Sequence, residues 1–93
     1  MLRSGQRVRA RLFDVKRLDS SLGHIRVAIL VPKYGFDAIR RNKLKRRLRE
    51  LVRQRVLLQS VSCDLLVRAR REAYDAPFDL LRDEIEQLAA QLP

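Results

Sequence analysis

From Ala38 to about Arg55 the chain has neither Gly nor Pro, and Leu44, Leu48, Leu51 and Val52 recur within it at the spacing of one helical face. Such a stretch can fold into little else than an α-helix. It also holds the densest charge in the sequence: nine of the sixteen residues from Arg40 to Arg55 are Lys or Arg, and only Glu50 is acidic. Asp37 is placed to cap the helix, its carboxylate accepting backbone N–H groups of the first turn. With Leu48 set at zero and about 100° per residue, the other three apolar side chains fall within roughly 60° of it. Asn42, Arg46, Arg49 and Arg53 fall between roughly 100° and 160°, with Lys45 at their edge near 60°. The segment therefore predicts a helix with an apolar stripe and a continuous cationic edge. Like charges at i,i+4 destabilise an isolated helix by a few tenths of a kcal/mol per pair. The edge opposes folding, and a bound polyanion would relieve it. Arg outnumbers Lys there, which favours planar, bidentate contact with phosphate.

The rest of the chain supplies a platform. Gly5 precedes RVRARLFDV, residues 7–15, which alternates strictly and predicts a strand with Val8, Ala10 and Leu12 on one side. RLDSSLGH, residues 17–24, reads as a turn. IRVAILVP, residues 25–32, reads as a second strand that Pro32 ends. CDLLVRAR, residues 63–70, reads as a third. Asp75-Ala-Pro opens a final helix whose Leu81, Ile85, Leu88 and Leu92 form an apolar stripe. The order strand, strand, helix, strand, helix predicts an α+β fold, a small antiparallel or mixed sheet with helices on one face. Residues 1–93 form a single domain with no repeat or linker. The opposite sheet face would carry Arg7, Arg9, Arg11, Phe13, Arg26, Arg68 and Arg70. Arginines beside an aromatic suit an extended single strand, which offers phosphates and stackable bases.

Charge narrows the function classes. The net value is +10, and residues 1–71 hold twenty Lys or Arg against five acids, whereas residues 72–93 hold Arg82 against six. Such a field draws polyanions. No apolar run approaches the roughly 20 residues that span a bilayer. A membrane-surface role is disfavoured because the leucines of the basic helix are needed for the core. Met1–Leu12 has no apolar h-region, so it does not read as a signal peptide. Cys63 is alone, excluding an internal disulfide and suiting a reducing, cytoplasmic setting. His24 has no partner for a metal, and the acids of the last helix are strung along one solvated face. No catalytic residue and no metal ligand are therefore expected in this chain.

AIRRNKLKRRLRE following RVAILVPKYG resembles the RNR-motif helix of the bacterial ribonuclease P protein component. Ala38, Arg41, Asn42, Lys45, Arg46, Arg49 and Glu50 match that motif at fixed spacing, Lys33 and Gly35 match the preceding turn, and CDLLVRAR resembles the following strand. Lys43 stands in place of the motif's second Arg, keeping the charge and losing the fork. Pro32 and Tyr34 replace the usual Ser and second Lys. The family usually starts with an aromatic-bearing helix ahead of Gly5, and that N-terminal family helix is expected to be missing here. The resemblance implies a left-handed β-α-β crossover, an exception to the usual hand. It implies a protein subunit of a ribonucleoprotein endonuclease that removes 5′ leaders from precursor tRNA, with catalysis in the RNA and Mg²⁺ bound chiefly by the RNA. Arg41, Asn42, Lys43, Lys45, Arg46, Arg49 and Arg53 would dock the catalytic RNA. Arg9, Arg11, Phe13, Arg26, Lys33 and Arg68 would line a cleft for the leader. The rival reading is a non-catalytic RNA-binding protein, such as a ribosome-associated factor.

Overall fold

The structure is a computed structural model that describes residues 5–92. The parts of the whole-chain domain and of the N-terminal leader reading that fall on residues 1–4 and 93 lie outside the described residues. Four strands, β1 (Arg7–Arg9), β2 (Phe13–Asp19), β3 (Ile25–Leu30) and β4 (Cys63–Ala69), form one sheet in the order β1-β2-β4-β3. β1, β2 and β4 pair antiparallel, and β3 pairs parallel with β4. Parallel neighbours need a long crossover, and α1 (Ala38–Arg55) provides it. A 3₁₀ turn at Arg71–Tyr74 then leads to α2 (Phe78–Ala90). The expected α+β class, with a mixed sheet and two helices, is what forms.

Alternation assigns the faces. Along β4, Cys63, Leu65, Val67 and Ala69 are buried, while Leu66 and Arg68 are exposed on the other side. The buried set packs with Leu44, Leu48, Leu51 and Val52 of α1 and with Leu81, Ile85, Leu88 and Leu92 at α2. Both apolar stripes anticipated from the sequence thus face one core. Cys63 is part of it, and burial pushes its thiol up from the ordinary range.

One element differs from expectation. The predicted strand over residues 7–15 is two strands joined by a two-residue hairpin loop, Arg11-Leu12, closed by an Ala10 N–H···O=C Phe13 bond of 2.8 Å. Correspondingly β2 runs on to Asp19, through residues that the sequence marks as turn. The loop contains no Gly, Asn or Asp, and neither of its residues has positive φ. Its backbone is held from outside instead. The Glu84 carboxylate, reaching over from α2, accepts from Leu12 N–H at 3.0 and 3.2 Å. A long-range cap of this kind leaves no local signature. The hairpin shifts the inward phase by one residue, so that Phe13 and Val15 join Val8 on the core side.

Burial raises the Glu84 carboxyl above its ordinary range, and the backbone N–H groups of Leu12 and Arg11 only partly offset this. A carboxyl raised on folding contributes stability that is complete at low pH and lost as pH climbs through the folded value. Glu84→Gln keeps an acceptor and removes the titration. Thermal melts over a pH series should show the variant gaining on the wild type as pH rises from the normal glutamate range to above it. A difference independent of pH would contradict this account.

Candidate nucleic-acid interface

The turn that launches α1 is tight. Phe36 N–H donates to Lys33 C=O at 2.8 Å, with Tyr34 and Gly35 both at positive φ (48° and 85°). Tyr34 is a poor residue for that region. It is held there by its hydroxyl, which donates to Ala69 C=O at 3.2 Å, and by an edge contact with Tyr74. Asp37 then caps the helix as expected, accepting from Arg40 N–H at 2.8 Å.

With Leu44, Leu48, Leu51 and Val52 turned inward, Asn42, Arg46, Arg49 and Arg53 are exposed and Lys45 is half-buried beside them. Arg53 is engaged by Glu50, whose carboxyl that hydrogen bond holds below its ordinary range, with Gln54 adding a second donor at 2.9 Å. Arg55 reaches Glu86 at 3.4 Å. Among the described residues, Lys45, Arg46 and Arg49 have no carboxylate within ion-pair distance. The centre of the ridge is charge that the fold leaves uncompensated.

The three adjacent motif residues point three ways. Arg41 lies about 20° from Leu48 on the helical wheel, is half-buried, and donates from Nε to Val31 C=O at 2.8 Å. It straps the helix to the end of β3, so the Nε of Arg41, a residue expected to dock the catalytic RNA, is turned toward the fold. Asn42 alone of the three sits on the ridge. Lys43 projects from the opposite flank, where it shares a depression of about 150 Å³ with Arg40, Leu44, Arg47, Ala73 and Tyr74. Wheel angles from the sequence already separate Lys43 from Arg46; its company with Tyr74 needed the fold.

The uncovered sheet face is cationic with an apolar floor. Register sets Arg9, Asp14, Arg68 and Leu30 in one row and Arg7, Lys16, Leu66 and Ala28 in the next. Arg7, Asp14, Val15, Lys16, Leu30, Leu66 and Arg68 line an open hollow of about 260 Å³. One oxygen of Asp14 is buried there without a hydrogen-bond partner among the described residues. Of the residues assigned to a cleft from the sequence, Arg9 and Arg68 stand on this face. Arg26 does too, but Asp64 binds its guanidinium through two contacts of 2.8 Å, and that pairing lowers the Asp64 carboxyl. Arg11 is exposed in the hairpin loop, and Lys33 is exposed in the loop leaving β3. Phe13 is not on the face: it is 2% exposed, in the core, because the hairpin reversed its phase. Arg70 is likewise spent, donating to Ala10 C=O at 2.9 Å. Lys16, Leu30 and Leu66 were missed; for Lys16 the reason is the same hairpin.

Among the described residues no three His, Cys, Asp or Glu side chains converge as metal ligands, and no helix is long and apolar enough to cross a membrane.

Fold and surface together define a small basic α+β domain that holds the centre of a cationic helix, Lys45, Arg46 and Arg49, clear of its described carboxylates, a class suited to meeting a polyanion. The family model described as Ribonuclease P matches residues 1–93. The chain is similar to the Ribonuclease P protein component of Thermus thermophilus, at 43% identity over 88 residues, covering 94% of this chain and 51% of that one. It is also similar to that of Kocuria rhizophila, at 42% identity over 83 residues, covering 88% of this chain and 74% of that one. The chain thus spans about half the length of the Thermus relatives it matches. Among solved structures it superposes on the RNase P protein from Thermotoga maritima in complex with 1-(4-fluorophenyl)-2-thiourea, with a TM-score of 0.82 and 26% identity over 96% of this chain and 87% of that one. A Staphylococcus aureus RNase P protein mutant with defective mRNA degradation activity gives 0.83 and 28% over 96% of this chain and 77% of the other. The chain belongs to the Ribonuclease P protein family.

Proposed function

We propose that the chain acts as a protein subunit of a ribonuclease P ribonucleoprotein in the cytoplasm, assisting removal of the 5′ leader from precursor tRNA. The observation that carries this reading is the uncompensated ridge of α1 in a chain of this family. Asn42, Lys45, Arg46, Arg49 and Arg53 dock the catalytic RNA. Arg53 exchanges Glu50 for phosphate, an exposed ion pair being weak enough to give way. On the open sheet face, Arg7, Arg9, Lys16 and Arg68 meet leader phosphates, while Leu30 and Leu66 offer apolar contact to bases. In this reading cleavage chemistry and its Mg²⁺ belong to the RNA; among the described residues no cluster of metal-ligating side chains forms. The protein offsets phosphate repulsion and grips substrate.

Reconstitution with the cognate RNA at low Mg²⁺ tests the proposal. Protein should raise the rate of leader removal, and the assembled complex should prefer precursor to mature tRNA. Cleavage no faster with protein than without would overturn it. Equal affinity for the two tRNAs would instead favour a general RNA-binding role.

A further inference from the structure

We propose that the second flank of α1 is a separate phosphate pocket, so that the helix lies between two RNA segments and bridges them. This rests on the RNA-docking reading above and extends it to residues outside the ridge. Arg40, Lys43 and Arg47 fall at about −80°, −140° and −100° from Leu48, the opposite side of the helix from Arg46 and Arg49 at about 160° and 100°. One row of backbone phosphates on the ridge leaves these three cations unused.

The pocket is built rather than merely charged. Its wall is the Tyr74 ring, stacked on Phe36 at 4.3 Å and 21°, with its hydroxyl donating to Pro32 C=O at 2.6 Å. Tyr34 abuts the same ring edge-on. The Arg40 guanidinium lies 4.2 Å over Phe36, which fixes its plane. Its Nη2 donates to Asp75 at 2.9 Å, a pair exposed on both sides that a phosphate can displace. Lys43 and Arg47 have no carboxylate partner among the described residues. They stand at i,i+4, where like charges repel, so an anion between them removes a cost that the folded chain carries alone. The depression of about 150 Å³ is small, suited to a phosphoryl group rather than a whole nucleotide. Between the two cationic flanks lie Ile39, 79% exposed, and Glu50, neither of which offers a cation to phosphate.

Phosphate-ethylation interference on the catalytic RNA, read with wild-type, Arg46→Ala and Arg47→Ala proteins, tests the inference. Circular dichroism melts should first show both variants folded. Arg47→Ala should weaken binding roughly tenfold. It should also release an interfering phosphate that is not contiguous with those released by Arg46→Ala. Lys43→Ala/Arg47→Ala should reduce the salt slope of binding by about 1–2. If Arg47→Ala leaves the interference pattern unchanged, or releases the same phosphates as Arg46→Ala, the second pocket is wrong while ridge docking stands. If the wild-type chain binds no RNA, both readings fail together.

Discussion

Leu48→Ala should lower the stability of the domain by about 2–5 kcal/mol. Leu48 has no exposed surface and lies on the α1 stripe with Leu44, Leu51 and Val52, packed into the same core as Leu65, Val67, Leu81 and Ile85. Truncating it loses apolar burial and leaves a cavity that a core bounded by sheet and two helices cannot close. A domain this small is expected to have only about 5–15 kcal/mol in total, and each kcal/mol shifts its melting midpoint by about 4–8 °C. A fall of ten degrees or more is therefore the expected result of a thermal melt. Arg46→Ala, two residues away and exposed, should melt close to wild type. Equal losses for the two variants would mean that the helix is rotated from the phase described.

The second large effect is on RNA. Arg46 and Arg49 lie at the centre of the ridge with no carboxylate partner among the described residues. Their full charge is available to phosphate, and neither must first break an internal pair. Hydrogen bonds to charged groups contribute about 1.5–3 kcal/mol, and about 1.4 kcal/mol is tenfold in affinity. Arg46→Ala/Arg49→Ala should therefore weaken binding to the catalytic RNA by about a hundredfold or more in a filter-binding titration at fixed low salt. The fold should be intact, because both side chains are exposed and removing Arg49 relieves repulsion with Lys45 and Arg53 at i,i+4. Undiminished affinity in the double variant would place the RNA elsewhere on the molecule.

Much of this was legible in the chain itself, and the reasons are local. The α1 pattern works because Leu44, Leu48, Leu51 and Val52 keep one period while Asp37 marks the helix start. β4 works because Cys63, Leu65, Val67 and Ala69 keep one phase and Asp64 and Arg68 mark the other. The Arg11-Leu12 hairpin was not legible, since its stabilising partner, Glu84, lies 72 residues from Leu12. That single turn moved Phe13 into the core and brought Lys16 to the open face. Arg41 illustrates a different limit. A motif match assigns a residue to a surface by likeness, whereas its angle near Leu48 already turned it inward, and only the structure gave its acceptor, Val31. The aromatic wall of Phe36, Tyr34 and Tyr74 joins the launch turn of α1 to the 3₁₀ turn after β4, a meeting that no local pattern announces.

Central to the account is an outward cationic ridge that exchanges counterions for RNA phosphates. The direct test is the salt dependence of wild-type binding to the catalytic RNA beside that of Arg46→Ala/Arg49→Ala. Each phosphate neutralised contributes about −0.7 to −0.9 to the slope of log K against log salt. With roughly 6–10 phosphates engaged the wild type should fall by orders of magnitude from low to moderate salt, and the double variant should be shallower by about 2. A nearly flat wild-type response, or parallel slopes for the two proteins, would contradict it.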